Sequence, residues 1–326
     1  MEQPERLKII CRECRSKFDV TDFEPFSTFV CPECGTKLRV PKQFGPYLLE
    51  KICGRGGMSN VYRAIDPEYS RYVAIKIMKD ESAADETVRR YFLAQARLIA
   101  KIDHPGVIPI YDSGEHQGVP FLVMKYMDGG SFEQLLSNHQ LPALPVLLNA
   151  LASAAGGLQA LLRTGIIHHD VKPGNIMFDH DGSAGLVDFD LAESPLFGGT
   201  MSGSEDWASP AYVSPEWLET GEEDFRGDIF SFGVTAYELL TGQIPYQTDG
   251  DAVTLLERRR HPFYLSVKEL NPAVSGEFSD FLNSTMAFRP SDRPEYPEII
   301  RMFQKESARL SAKPSPLKSF FNVFKR

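Results

Sequence analysis

The stretch "GIIHHDVKPGNIMF", Gly165–Phe178, crowds His168, Asp170, Lys172 and Asn175 into a few residues, and "LVDFD", Leu186–Asp190, adds Asp188 shortly afterwards. The residue types are chemically selective. A carboxylate can take the proton of a hydroxyl, an ammonium can offset anionic charge, and carboxylate and amide oxygens suit a hard cation such as magnesium. Those are the parts that phosphoryl transfer needs, because that reaction is mostly positioning and charge neutralisation. Two letters sit awkwardly in the pattern, His169 and Asp190. The question is whether the chain is a working catalyst or a nucleotide-binding fold that has lost its chemistry.

Upstream, "CGRGGMSNVYRAI" places Gly54, Gly56 and Gly57 ahead of the apolar, β-branched run "RYVAIKIM", Arg71–Met78, which contains Lys76. Glycines let backbone amides approach phosphate closely. A dinucleotide-type glycine motif should open a helix; here a strand follows, ending in "VAIK", the order of a glycine loop and its phosphate-binding lysine. "DETVRRYFLAQARLIAKI" repeats apolar residues at helical spacing (Val88, Phe92, Ala96, Ile99, Ile102). "PFLVMKYM" reads as another strand, and beyond about Gly130 the pattern turns helical, as in "DIFSFGVTAYELLTG" with Gly242 at its end. Strands first and helices afterwards make an α+β chain.

From Tyr47 to about Met302 the chain resembles a bacterial Ser/Thr protein kinase of the eukaryotic-like type. The resemblance implies a bilobal fold, a strand-rich N-lobe and a helical C-lobe, with ATP and Mg2+ as cofactors and proteins as substrates. It implies that Gly54, Gly56 and Gly57 cover the phosphates, that Val61 and Ala74 cover the adenine, and that Lys76 holds the α- and β-phosphates. Met124 falls at the gatekeeper, and Lys125 to Met127 form the hinge whose backbone binds adenine. Asp170 would orient and deprotonate the acceptor hydroxyl, with Lys172 on the γ-phosphate; the "DVKPGN" context points to Ser or Thr rather than Tyr. Asn175 and Asp188 would hold magnesium. "ASPAYVSPE", Ala208–Glu216, would dock the acceptor, Glu216 would pair with Arg293, and Asp228 would brace the catalytic loop.

The chain departs from that pattern at four positions. Ser59 stands in place of the third loop glycine. His169 replaces an arginine that, in the family, receives an activation-loop phosphate, which suggests control that does not depend on loop phosphorylation. Asp190 replaces the glycine after Phe189. Gln95 stands where the helix normally supplies a glutamate to Lys76; its carbonyl can accept a hydrogen bond but makes no ion pair. The expected outcome is an attenuated kinase whose Gln95 helix is loosely held, so that a regulatory protein partner could set its position. The competing reading is a pseudokinase scaffold.

Four of the five cysteines precede Pro41, as "CREC" at Cys11 and Cys14 and "CPEC" at Cys31 and Cys34. Two such knuckles roughly sixteen residues apart read as a structural zinc site. Residues 1–41 are therefore expected to be a zinc ribbon, 42–46 a linker, 47–307 the kinase domain and 308–326 a basic, aromatic tail. Cys53 is expected to be a small core residue outside the metal site. With net charge −9 over 326 residues, and acids offsetting the ribbon's own basic residues, nucleic acid is not a favoured partner. "MEQPERLKII" lacks a signal-peptide core, and "LPALPVLLNALASAAGGLQALL", Leu141–Leu162, reads as a buried helix rather than a span, so the cytoplasm is the expected location. The tail, with Phe320, Phe321 and Phe324 among Lys318, Lys325 and Arg326, could meet an acidic partner or an anionic membrane; a disordered end is the preferred reading.

Overall fold

The computed structural model describes residues 7–189 and 210–312. Asp190, Ala208 and Ser209, and the aromatic tail residues lie outside this set. The chain divides into two compact units, one made of residues 1–100 and 109–126, the other of 101–108 and 127–326. The division falls between Tyr126 and Met127, inside the segment expected to be the hinge.

The first unit begins with two short antiparallel hairpins, β1 (Lys8–Ile10) with β2 (Lys17–Asp19) and β3 (Thr28–Val30) with β4 (Lys37–Arg39). A six-stranded antiparallel sheet follows, built from β5 (Lys42–Phe44), β6 (Tyr47–Arg55), β7 (Ser59–Asp66), β8 (Arg71–Met78), β9 (Ile110–His116) and β10 (Val119–Lys125), in the order β5-β6-β7-β8-β10-β9. Residues 42–46, expected to be a linker, supply the edge strand. Gly45, at φ +53°, and Pro46, with its fixed negative φ, meet the needs of a tight II′-type hairpin turn, so Lys42 pairs Leu49 and Phe44 pairs Tyr47. Phe44 enters the core on one face of the sheet, with Tyr47, Leu49, Ala64, Val73, Ile75, Phe121 and Val123.

The cysteine hairpins are docked on this sheet. The Phe26 ring stacks on Tyr62 at 5.9 Å between centroids, and Arg12 pairs with Glu50 at 2.8 Å and donates to the Tyr72 hydroxyl. Against the opposite residue set lie α1 (Asp80–Ala83) and α2 (Glu86–Ile99). The α2 N-terminus is capped by Asp85, whose carboxylate accepts from the Thr87 and Val88 amides. Phe92 and Ala96 of α2 pack with Met78, Ala83 and Leu122. Ile102, expected to continue this helix, lies beyond its end and belongs to the second unit.

The second unit holds a small sheet of β11 (Gly130–Ser131), β12 (Ile176–Phe178) and β13 (Ala184–Leu186). Its helices are α3 (Phe132–Ser137), α4 (Leu144–Arg163), α5 (Pro215–Thr220), α6 (Phe225–Thr241), α7 (Ala252–Arg260), α8 (Val267–Leu270), α9 (Gly276–Thr285) and α10 (Tyr296–Ala312). Among the described residues, α4 alone is long and apolar enough to cross a membrane by length and composition, yet 61% of its apolar window is buried within the protein. The glycine pair on α4 serves close packing. A Cβ at Gly157 would lie 2.3 Å from the Gly106 carbonyl oxygen, and one at Gly106 only 1.9 Å from that of Ser153, so the 104–107 segment seats directly on the helix.

Candidate active site and cysteine cluster

In the first unit, the register of β7 on β8 sets Val61 opposite Lys76, and that of β8 on β10 sets Ala74 opposite Met124. Lys76 is 6% exposed and Gln95, on α2, 5%. Both are polar, both are buried, and both make interactions within the folded chain. The glycine loop joins β6 to β7. Its shape is fixed by the Gly56 amide donating to the Ser59 carbonyl at 2.9 Å; a Cβ at Gly56 would press within 3.2 Å of that same oxygen. Ser59 itself is buried, which fits a small residue standing for the third glycine. The Lys125 amide donates to the Pro109 carbonyl at 3.0 Å, so of Lys125 only the carbonyl can serve an adenine.

Cys53 is exposed, contrary to the expectation of a core residue. The β6–β7 register slips between Ile52 and Gly54, and the extra residue of such a bulge loses its place in the alternation of faces.

In the second unit, Lys172 and Asn175, expected to be site residues, converge on the Asp170 carboxylate. Lys172 Nζ lies 2.8 Å from Asp170 Oδ2, and Asn175 Nδ2 donates to the same oxygen at 2.7 Å and to the Asp170 carbonyl at 2.8 Å. Both donors address Oδ2. Donation through its amide nitrogen turns the Asn175 carbonyl into the ligand-type atom, suited to a hard cation. Asp188 is exposed and holds a left-handed backbone at φ +64°, a conformation to which Asp is better adapted than most residues.

The loop is anchored from α6. Asp228, at the first turn of that helix, accepts the His168 and His169 amides on its two oxygens, each at 2.8 Å. Burial pushes the Asp228 carboxyl up from its ordinary range, and these two N–H donors compensate the ionised form. His168 is fully buried; its Nδ1 accepts the Asp170 amide at 3.3 Å and its Nε2 lies 3.2 Å from the Val187 carbonyl oxygen. Sequence reading did not assign that ring a role; it joins the Asp170 loop to the strand end leading to Asp188.

On the acceptor side, Arg293 makes a two-pronged ion pair with Glu216, each contact at 2.6 Å. Its side chain is fully buried. Breaking a buried pair strands the remaining charge, so Arg293→Ala should cost about 3–5 kcal/mol, read as a lower denaturant midpoint at unchanged slope. Arg259 of α7 escaped sequence reading. It is 2% exposed and donates to the carbonyls of Val213, Pro210 and Ala211 at 2.8, 2.6 and 3.3 Å. Burial lowers its pKa to about 10, and the Tyr246 ring stacks 5.1 Å away. This side chain fixes the backbone of residues 210–213, the segment leading into α5.

The four N-terminal cysteines form the metal-competent cluster found among the described residues. Their sulfurs all lie within 4.8 Å of one another, with Cys11–Cys34 and Cys14–Cys31 at 3.6 Å. A tetrahedral shell with metal–sulfur bonds of about 2.3 Å requires sulfur spacings of roughly 3.8 Å. The Ser16 hydroxyl and amide hold the Cys14 thiol down to about 6, and Thr36 likewise lowers Cys34, whereas burial pushes Cys31 up to about 11; the first two are thus the readier thiolates.

The chain is 33% identical to the serine/threonine-protein kinase PknL of Mycobacterium tuberculosis over 256 residues, 78% of this chain and 63% of PknL. It is 32% identical to the serine/threonine-protein kinase PrkC of Bacillus subtilis over 256 residues, 78% of this chain and 39% of PrkC; it thus spans less than two thirds of either relative. The crystal structure of a mutant Mycobacterium tuberculosis PknI kinase domain superposes with a TM-score of 0.61 over 83% of this chain and 99% of that one, at 24% identity, establishing the fold of a strand-rich N-lobe and a helical C-lobe. The family profile described as the protein kinase domain matches residues 47–303, and the chain belongs to the protein kinase family.

Proposed function

We propose that this chain is an ATP-dependent protein kinase that transfers the γ-phosphate to Ser or Thr of protein substrates, at an attenuated rate, and carries a structural zinc ribbon. The observation that carries the reading is the convergence of Lys172 and Asn175 on Asp170 Oδ2. With that oxygen engaged, Oδ1 receives the proton of the acceptor hydroxyl as its oxygen attacks the γ-phosphorus and the bond from that phosphorus to the β-phosphate oxygen breaks, releasing ADP. Lys172 and Lys76 offset phosphate charge, and Asn175 and Asp188 would hold magnesium, which when bound neutralises charge on the phosphates. Val61, Ala74, the Lys125 carbonyl and Met127 would bind the adenine.

The attenuation rests on Gln95. A hydrogen bond involving a charged group contributes about 1.5–3 kcal/mol against about 0.5–1.5 for a neutral pair, and a charged lysine bonded to an amide would keep part of that. A deficit of about 1–3 kcal/mol in positioning corresponds to a rate lowered about 5–150-fold. The test is transfer of label from γ-labelled ATP with magnesium. Gln95→Glu should raise the rate within that range, and Lys76→Met should abolish transfer in both backgrounds. If wild type and Gln95→Glu both transfer nothing, the chain is a scaffold that has kept a kinase fold.

A further inference from the structure

Glu223 lies in the turn between α5 and α6 and belongs to none of the motifs that carry phosphoryl-transfer chemistry. Its side chain is nevertheless 7% exposed, with Oε1 2.8 Å from His169 Nδ1. Its Oε2 accepts from the Ser214 hydroxyl. Gly227 makes room for it: a Cβ there would come within 2.0 Å of Glu223 Oε2. A carboxylate withdrawn from water is costly unless it is paired and hydrogen-bonded, and here it is given a ring nitrogen, a hydroxyl and a side-chain-free neighbour.

The partner is the residue immediately before Asp170. His169 holds a left-handed backbone at φ +61°, a conformation that non-glycine residues keep only when their surroundings over-determine it. Its amide is tied to Asp228 Oδ1 and its ring to Glu223. Ser214 is also the N-cap of α5, accepting the Trp217 amide at 3.2 Å, and the Trp217 ring lies 6.1 Å from that of His169. The carboxylate therefore connects the catalytic loop to the helix that bears Glu216.

We propose that Glu223 is a positioning residue for Asp170: acting through His169, it fixes the catalytic loop with an anion built into the chain, so the loop reaches its working geometry without a phosphate being added. The role rests on the kinase reading of the site. It also gives the histidine at this position a structural partner, where the resemblance implies an arginine organised by a loop phosphate.

Glu223→Gln keeps the volume and removes the charge. With myelin basic protein as acceptor, kcat should fall about 10–100-fold, the range expected when a reacting group is displaced by about an ångström, while KM for ATP stays within twofold. Wild-type protein treated with a protein phosphatase should keep its rate. Hydrogen exchange provides a readout independent of turnover: the peptide spanning 165–175 should exchange at least severalfold faster in Glu223→Gln, with exchange in the α10 peptide unchanged. Ser214→Ala, which removes one partner and leaves His169 in contact, should shift the same peptide less, and serves if Glu223→Gln proves unstable. An unchanged kcat, loss of activity on dephosphorylation, or unaltered exchange at 165–175 overturns the proposal. If wild type transfers no phosphate, the kinase reading has failed, and the exchange result alone decides the positioning role.

Discussion

Asp170→Asn should lower phosphate transfer about 100–10,000-fold, the usual contribution of a positioned general base, with ATP affinity unchanged. The substitution is nearly isosteric, so it tests chemistry more than shape. Lys172 and Asn175 both address Oδ2, and an amide oxygen there could still accept from both. The other position would then carry an NH2 group, which donates and cannot take a proton. Hydroxyl binding can persist while deprotonation fails, so the loss should appear in kcat. The measurement is single-turnover transfer from γ-labelled ATP beside equilibrium binding of a fluorescent ATP analogue. A variant that keeps more than a tenth of the wild-type rate would remove Asp170 from the role of base.

Loss of zinc should have the largest effect on stability. The two cysteine hairpins have three-residue strands, and their completely buried side chains are few: Cys11, Cys31, Val20 and Val40 are each at or below 1% exposure. Two of those four are cysteines of the cluster itself. Structural zinc in such modules contributes an apparent 10–16 kcal/mol at neutral pH, far more than this core can supply, so the ribbon should unfold when metal is removed. One zinc per chain is expected by elemental analysis; Cys31→Ser should lose it and Cys53→Ser should keep it. Chelation should also lower the melting temperature of the whole first unit, because Phe26 leaves Tyr62 and Arg12 leaves Glu50 and Tyr72. Full zinc in Cys31→Ser, or loss in Cys53→Ser, would defeat the assignment.

The catalytic loop, the glycine loop and the cysteine knuckles were legible because their chemistry restricts residue type at fixed spacing. Asp170, Lys172 and Asn175 sit close in sequence, so the geometry that unites them is local. Glu223 and Arg259 were illegible for the opposite reason. Each is a charged residue that reads as solvated surface, and each finds partners across 54 and 46 residues of chain, at His169 and Val213. Cys53 was misjudged because face alternation fails at a bulge. Gln95 was recognised as a departure, but its burial beside Phe92 and Ala96 could not be read from a periodic pattern that counts only apolar letters.

Strand β5 has a consequence for where this protein can be divided. The family profile match begins at residue 47, yet the sheet begins at Lys42, and Phe44, at 9% exposure, is part of its core. The border of the family match and the border of the packed sheet are different places. Cutting at the first would strip an edge strand from β6, leave its backbone groups unpaired and bare the hydrophobic side chains that Phe44 covers. The reverse cut, taking the ribbon alone, would bare Phe26, whose ring stacks on Tyr62 of the sheet. Between Val40, wholly buried, and Lys42 there is only Pro41, whose ring stiffens the joint. Module and sheet are thus coupled with almost no slack, so a force or partner applied to the cysteine hairpins is felt by β5 and by its neighbour β6, which runs on into the glycine loop.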